Sequence, residues 1–114
     1  YLNKLLYQSL ASQRAIIPMP SYRLSPLAEA DLFKIISSTI ESWGSTQAKV
    51  YAQTIDAALL KLAQYPGFGR ERSEVYVGAK SFPVEKHIVF YQICEDGIDV
   101  ARILHQRMDP SKHF

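Results

Sequence analysis

Two amphipathic segments joined at a single glycine constrain the fold of this chain more than any other feature. The first segment repeats its apolar positions on one helical face: Ala28, Leu32, Ile35, Ile36, Thr39, Ile40 and Trp43. The second, which begins near Ser45-Thr46, does the same: Ala48, Tyr51, Ala52, Ile55, Ala58, Leu59 and Leu62. Both stripes follow the 3.6-residue period of a helix. Because the connection at Gly44 is so short, we predict an antiparallel helical hairpin.

Local signals set the two ends of this hairpin. Ser25 suits the capping position, and Pro26 suits the first helical position, where a missing N–H costs nothing. Glu29 and Asp31 then place negative charge near the positive end of the helix dipole. The turn-rich sequence Tyr65-Pro66-Gly67 ends the second helix.

Segments with strand composition flank the hairpin. A short one runs from Ser21 to Leu24, and four follow the hairpin: Glu74 to Val77, Ala79 to Val84, His87 to Cys94 and Ile98 to Leu104. Asp96-Gly97, between the last two, is a strong hairpin signal. Strands in direct succession pair through tight antiparallel turns. We therefore predict an α+β domain in which the two-helix hairpin packs on one face of a mostly antiparallel sheet.

The regular pattern begins just after Met19-Pro20, so we assign residues 19–114 to one compact domain. Residues 1–18 form a separate segment whose leucines fall at helical spacing: Leu2, Leu5, Leu6 and Leu10. Polar residues interrupt these leucines, which argues against a signal peptide. We interpret the segment as an N-terminal extension. A native arm that docks on the domain or on a partner, and a piece of a longer chain, are the other interpretations.

Charge and cysteine content exclude several classes of function. Thirteen Lys and Arg against eleven Asp and Glu give a net charge of +2, too small to indicate specific nucleic-acid binding. The single cysteine, Cys94, allows neither an internal disulfide framework nor a cysteine-rich zinc site, and is typical of a reducing cytoplasm. The sequence contains no apolar run long enough for a transmembrane helix, so we expect no membrane partner.

Motifs for cofactors and metal ions are missing from the sequence. It contains neither a P-loop, nor G-x-G-x-x-G, nor H-E-x-x-H. The three histidines, His87, His105 and His113, do not have a recognisable metal-ligand spacing. We therefore expect no cofactor and no metal ion.

Basic and polar side chains gather where the last predicted strand ends. The final thirteen residues contain one acidic residue, Asp109. An exposed polar end on a rigid scaffold is a common binding surface. The candidates are Arg102, His105, Gln106, Arg107, Met108 and Lys112. The alternative is a set of solvated strand-edge charges that discourage aggregation of the sheet.

The hairpin carries more apolar residues than so small a domain can bury. Leu27, Ile36, Ile40 and Trp43 are candidates for a surface groove that receives a protein partner or a second copy of the chain. An ordinary core, with Trp43 at its edge, accounts for most of the same residues.

An ordered set of short motifs resembles the ParE toxins of type II toxin–antitoxin modules. In the first half these are Tyr22-Arg-Leu-Ser25-Pro26, Ala30-Asp31-Leu32, Trp43-Gly44 with Gln47-Ala48, and Tyr65-Pro66-Gly67-Phe-Gly69-Arg70. In the second half they are His87-Ile-Val-Phe-Tyr91, Asp96-Gly97-Ile98 and Arg102-Ile-Leu-His105-Gln-Arg-Met-Asp109. Each motif alone is weak, but the ordered set, which covers about residues 21–112, is fairly specific.

The resemblance implies a fold, a function and partners. The fold is that of the RelE/ParE superfamily, with the order β-α-α-β-β-β. The function is that of a small bacterial toxin that a cognate antitoxin neutralises, in a hetero-oligomer. For the antitoxin's C-terminal segment the resemblance points to the hairpin face and the groove beside it: Leu32, Ile36, Ile40 and Tyr51. The same residues are typical of a helix core, and periodicity does not separate the two.

The two branches of the superfamily imply different chemistry. Members of the ParE branch poison DNA gyrase, whereas the RelE branch cleaves mRNA on the ribosome, often with a terminal tyrosine or histidine. The tail here has His105, Arg107 and His113 but lacks a tyrosine after Tyr91, which favours the ParE branch. On that interpretation the protein is not an enzyme, and the tail from Arg102 to Lys112 faces gyrase and traps its cleaved-DNA state.

Two alternatives to the gyrase interpretation stay open. One is an mRNA endonuclease in which His105 and Arg107 supply acid–base catalysis and phosphate binding. The other is an interaction module with the same fold and no toxicity.

Overall fold

The computed structural model describes residues 19–114, so the predicted N-terminal extension, residues 1–18, lies outside the described residues. The helical hairpin forms as predicted, with α1 at Pro26–Trp43 and α2 at Ser45–Gln64. The Ser25 hydroxyl oxygen accepts the backbone N–H of Ala28 at 3.0 Å and caps α1. Gly44 reverses the chain with a φ of 89°, a conformation that glycine adopts without steric penalty.

The sheet contains five strands within residues 19–114. They are β1 at Ser21–Leu24, β2 at Arg70–Glu71, β3 at Lys80–Val84, β4 at His87–Cys94 and β5 at Gly97–His105. Their spatial order is β1-β5-β4-β3-β2, in which β1 is parallel to β5 and the other neighbours are antiparallel. The predicted α+β class and the β-α-α-β-β-β order are confirmed, with the two-residue β2 as an additional short strand before β3.

The strand predicted at Glu74 to Val77 is wrong, because this segment forms turns. Local hydrogen bonds use its backbone: the N–H of Val75 donates to the Arg72 carbonyl at 2.9 Å, and that of Ala79 donates to the Tyr76 carbonyl at 3.0 Å. The pairing with β3 is made instead by β2, which precedes the turns. The strand preference of these side chains is therefore outweighed by the tight turn that the pairing of β2 with β3 requires.

The core lies between the two helices and one face of the sheet. Its buried side chains come from both helices and three strands: Ala28, Leu32, Ile35, Ile55, Leu59, Leu62, Ala63, Val84, Val89, Tyr91, Ile98, Val100 and Ile103. Burial of a Leu or Ile side chain contributes about 1.5–3 kcal/mol. The edge strand β1 is tied to this layer by Tyr22, whose hydroxyl donates a hydrogen bond to Asp56 on α2.

Phe90 lies on the other face of the sheet, because it alternates along β4 with the core residues Val89 and Tyr91. It is nevertheless fully buried. The guanidinium of Arg72 lies 5.3 Å from the centre of the Phe90 ring. The centre of the Phe114 ring also lies 5.3 Å from the centre of the Phe90 ring. The turns after β2 and the C-terminal residue therefore cover this face.

Both helices of the described residues are amphipathic rather than apolar throughout. Within residues 19–114, neither is long and apolar enough to cross a membrane.

Candidate partner-binding surfaces

The C-terminal segment, residues 106–112, follows β5 directly and holds four of the six residues predicted to bind a target. Their side chains are all exposed: Gln106, Arg107, Met108 and Lys112. Met108 is 47% exposed, a large apolar side chain in a stretch that also carries two cations. Arg and Met are both enriched at protein–protein interfaces, so the exposed pair Arg107 and Met108 indicates a protein-binding surface.

Backbone hydrogen bonds fix the start of this segment. The N–H of Gln106 donates to the carbonyl of Lys86 at 2.8 Å, which ties the segment to the turn between β3 and β4. His105 accepts two more: the N–H of Arg107 donates to its Nδ1 at 3.1 Å, and that of Met108 to its carbonyl at 2.9 Å. The first residues of the segment therefore have a defined path away from the sheet.

A capped turn fixes the end of the segment. Asp109 Oδ1 accepts hydrogen bonds from the backbone N–H and the hydroxyl of Ser111, at 3.0 and 2.8 Å. These bonds lower the pKa of Asp109 below its usual range, so the cap is charged at neutral pH. The turn that it caps is a short 3₁₀ helix at Pro110–Lys112.

Arg102, also predicted to bind a target, is mostly buried in an ion pair. Its Nε and Nη2 donate to the two carboxylate oxygens of Asp31 on α1, at 2.8 and 2.9 Å. Its Nη1 donates to the carbonyl of His113 at 2.9 Å. The side chain of Arg102 is 15% exposed and that of Asp31 11%, so this pair joins parts of the fold.

His105 belongs to a small cluster at one end of the sheet, beneath α2. Its ring meets that of His87 edge-on, with 5.3 Å between ring centres. The hydroxyl of Tyr51 lies 2.6 Å from Nδ1 of His87, and the two form a hydrogen bond. Burial lowers the pKa of His87 below its usual range, and the neighbouring His105 lowers it further. His87 is therefore neutral at physiological pH.

His87 was not predicted as a site residue, although a signal for it exists. His87 and His105 lie almost symmetrically about Asp96-Gly97, so a tight turn there makes them cross-strand partners. No group of three or more His, Cys, Asp or Glu side chains in residues 19–114 is placed to hold a metal ion.

The four residues predicted to bind an antitoxin occupy different depths in the hairpin. Leu32 is buried in the core, Ile36 packs against that core, and Tyr51 is half-buried with its hydroxyl on His87. Ile40 is 47% exposed. The sequence pattern had grouped residues that the fold divides between core and surface.

The exposed part of α1 presents an apolar stripe made of Phe33, Ile40 and Trp43, hereafter the α1 stripe. These residues lie at helical spacings of seven and three, so they share one face of α1. Phe33 is 62% exposed and Trp43 is 72% exposed. Phe33 was missed because it falls outside the single stripe from which the core was predicted.

The sequence Tyr65-Pro66-Gly67-Phe68-Gly69-Arg70 forms a loop that is fixed to the core. The buried hydroxyl of Tyr91 donates to the carbonyl of Pro66 at 2.6 Å and accepts the N–H of Gly69 at 2.9 Å. Phe68 stacks on Phe82, with 6.4 Å between ring centres. The loop is therefore a rigid joint between α2 and the sheet.

Comparisons with known proteins agree with this architecture. Residues 22–110 match the family described as the ParE toxin of the type II toxin–antitoxin system parDE. The chain is 38% identical to Toxin ParE1 of Mycobacterium tuberculosis over 94 residues, which cover 82% of this chain and 96% of that protein. It is 34% identical to Toxin ParE1 of Caulobacter vibrioides over 96 residues, covering 84% and 99%.

A solved structure shows the same fold. It is the chromosomal ParDE toxin–antitoxin system of P. aeruginosa, with a TM-score of 0.65 and 22% identity. The match covers 78% of this chain and 98% of that one. The family match over residues 22–110, together with relatives that are 34% and 38% identical over most of the chain, defines a toxin of a type II toxin–antitoxin system. Within that class, the chain belongs to the ParE family.

Proposed function

We propose that this protein inhibits DNA gyrase by direct binding and that a cognate antitoxin neutralises it. Membership of the ParE family supports the toxin part of the proposal. The observation that supports a protein target is the exposure of Arg107, Met108 and Lys112 on the fixed backbone of the C-terminal segment. A fixed segment loses little conformational entropy on binding, which favours a stable complex.

On this proposal the protein acts by holding its target, not by a reaction of its own. Gyrase cuts and reseals DNA through a covalent intermediate. A ligand that stabilises the cut state prevents resealing and leaves the DNA broken. The mild net charge of +2 fits a protein target better than a nucleic acid. Gyrase works on the chromosome, so the proposal places the toxin in the bacterial cytoplasm.

The antitoxin is proposed to cover the α1 stripe. Phe33, Ile40 and Trp43 expose large apolar side chains on one helical face, and such a face suits an amphipathic partner segment. Ile36 and Tyr51 pack against the core and Leu32 lies within it, so these three side chains are less accessible to a partner than the α1 stripe. The similarity to a ParDE toxin–antitoxin structure supports an antitoxin as the occupant. The result is a hetero-oligomer of toxin and antitoxin.

Paired substitutions in the C-terminal segment test the target-binding surface. We expect Arg107→Ala with Lys112→Ala to weaken gyrase inhibition at least tenfold and to relieve growth arrest, because both cations are exposed on the proposed contact surface. The matched control is Lys34→Ala with Lys49→Ala, which removes two exposed cations from the helices. Undiminished inhibition by the folded Arg107 and Lys112 variant would exclude this segment as the contact surface.

A second candidate function is mRNA cleavage on the ribosome. The observation in its favour is the cluster of Tyr51, His87 and His105 beside Arg107. A neutral histidine can accept the proton of a ribose 2′-hydroxyl, and a cation beside it can stabilise the phosphate. On this alternative His87→Gln abolishes mRNA cleavage. On the gyrase proposal the same variant still inhibits gyrase.

A further inference from the structure

The ion pair between Asp31 and Arg102 connects α1 to the end of β5. Two parallel hydrogen bonds, at 2.8 and 2.9 Å, fix the guanidinium in the plane of the carboxylate. The hydrogen bond to the Asp31 carboxylate raises the pKa of Arg102 above its usual value, so the guanidinium remains charged. A pair with this geometry has one orientation, unlike a flexible surface pair.

Asp31 also binds the backbone of the same strand. Its Oδ2 accepts the N–H of Ile103 at 3.0 Å. Since β1 ends at Leu24, the second half of β5 has no strand beside it on that side within residues 19–114. The Asp31 carboxylate accepts a backbone N–H that a neighbouring strand would otherwise accept. It therefore fixes the edge of β5 next to Arg102.

Arg102 carries this connection to the C-terminus. Its Nη1 donates to the carbonyl of His113 at 2.9 Å. Next in the chain, the Phe114 ring lies 5.3 Å from the ring of Phe90 and 5.3 Å from that of Tyr76. The end of the C-terminal segment is therefore held by a hydrogen bond and by an aromatic contact.

The C-terminal segment is thus anchored at both ends. Gln106 N–H is held by the Lys86 carbonyl at its start, and Arg102 holds the His113 carbonyl just after its end. Among the contacts of residues 19–114, the Asp109 cap and short-range turns shape the backbone between these two points. Within residues 19–114, loss of the Arg102 contact would leave the Phe114 ring contacts as the remaining long-range contacts at the end of the segment, and we expect the segment to become more mobile.

We infer that Asp31, acting through Arg102, is a positioning residue that holds the C-terminal segment in its target-binding form. The inference builds on the proposed inhibition of gyrase. Asp31 and Phe33 lie about 200° apart around α1, so a change at Asp31 leaves the α1 stripe, the proposed antitoxin surface, intact. Target binding and antitoxin binding are therefore separable at this residue.

The test compares Asp31→Asn with Glu29→Gln, which removes the same charge half a turn away on α1. Three quantities are measured: hydrogen exchange of the amides of residues 106–114, inhibition of gyrase supercoiling, and affinity for the antitoxin. We expect Asp31→Asn to speed exchange in this stretch at least tenfold and to weaken inhibition at least tenfold, with antitoxin affinity within threefold of wild type. Glu29→Gln should match wild type in all three.

Other outcomes overturn the inference or the proposal beneath it. Wild-type exchange and inhibition in Asp31→Asn, or a parallel loss of antitoxin affinity, would overturn the positioning role. If the wild-type protein does not inhibit gyrase, the proposed function fails, while exchange still decides whether Asp31 orders the segment. Should Asp31→Asn not fold, Arg102→Lys replaces it, since one ammonium retains the charge but loses the fork that spans Asp31 and His113. Wild-type exchange in Arg102→Lys would then overturn the inference.

Discussion

At the scale of the residue, one buried hydroxyl organises the junction between α2 and the sheet. Tyr91 donates to the carbonyl of Pro66 and accepts the N–H of Gly69, so both of its hydrogen-bonding roles are used. Burial raises the pKa of Tyr91, and the phenol stays protonated at neutral pH. The tyrosine ring passes so close to Gly69 that a side chain there has no room.

Alanine at the two loop glycines should therefore have unequal effects. A Cβ at Gly69 would meet the Tyr91 ring and, at 2.9 Å, the Ser81 carbonyl, so we expect Gly69→Ala to lower the free energy of unfolding by about 1–3 kcal/mol. In the described residues nothing lies within 4 Å of a Cβ at Gly67. Gly67→Ala should change stability by less than about 0.5 kcal/mol. Urea denaturation measures both, and equal effects would contradict this account of the loop.

His87 should make stability depend on pH. Its folded pKa is lowered by burial, while the unfolded chain titrates near the usual value of about 6.5. Below that pH the unfolded chain binds a proton that the folded protein resists. The contribution of His87 is thus fully present above about pH 6.5 and is lost as the pH falls through the folded pKa.

Unfolding free energies at pH 7.5 and 5.5 test this dependence. We expect wild type to lose stability at the lower pH and His87→Gln to lose less, because glutamine does not titrate. His113→Gln, which alters a histidine outside the cluster, is the control and should behave as wild type. An identical loss in wild type and His87→Gln would mean that another group is responsible.

At the scale of the element, α1 supplies both buried side chains to the core and exposed apolar side chains to the surface. Leu32 and Ile35 enter the core, whereas the α1 stripe remains exposed. The same helix also places Asp31 against the edge of β5. Stability and partner affinity are therefore expected to respond to different substitutions.

Truncation of one buried and one exposed residue of α1 tests that expectation. Leu32→Ala removes core packing and should lower the free energy of unfolding by about 2–5 kcal/mol. Ile40→Ala should change it by no more than about 0.5 kcal/mol, because the side chain is nearly half exposed. On the proposed function, Ile40→Ala weakens antitoxin binding at least tenfold, measured by calorimetry. A large stability loss in Ile40→Ala with unchanged affinity would place Ile40 in the core instead.

The elements with local sequence signals were predictable. Helical spacing, the Ser25-Pro26 start and the Gly44 turn define the hairpin, and Asp96-Gly97 defines the pairing of β4 with β5. The two-residue strand β2 was not predictable, because its charged residues Arg70-Glu71 have no strand preference and pair only through contact with β3. Non-local pairing of this kind leaves no periodic trace in the sequence.

The candidate site was predictable only in outline. Composition indicates the basic tail, and Arg107 and Lys112 are exposed there, while their role in target binding stays a prediction. Sequence did not distinguish Arg102, since its partner Asp31 lies 71 positions away and its side chain turns inward to reach it. Burial and long-range ion pairs depend on how helices and strands pack together, and they cannot be predicted from composition alone.

At the scale of the whole molecule, the fold presents two separate surfaces on one rigid core. The C-terminal segment leaves the end of the sheet, and the α1 stripe lies on the exposed side of the hairpin. A small α+β domain has little interior for an elaborate active site, but it has surface for two protein partners. We propose that one of these partners is DNA gyrase.

The most direct test adds purified protein to a gyrase supercoiling assay and to ribosomes programmed with mRNA, side by side. We predict loss of supercoiling with accumulation of cleaved DNA, intact mRNA, and full reversal by equimolar antitoxin. Normal supercoiling together with cleaved mRNA would contradict the proposal and establish the endonuclease alternative. Normal supercoiling with intact mRNA would contradict it as well and favour an interaction module without toxicity.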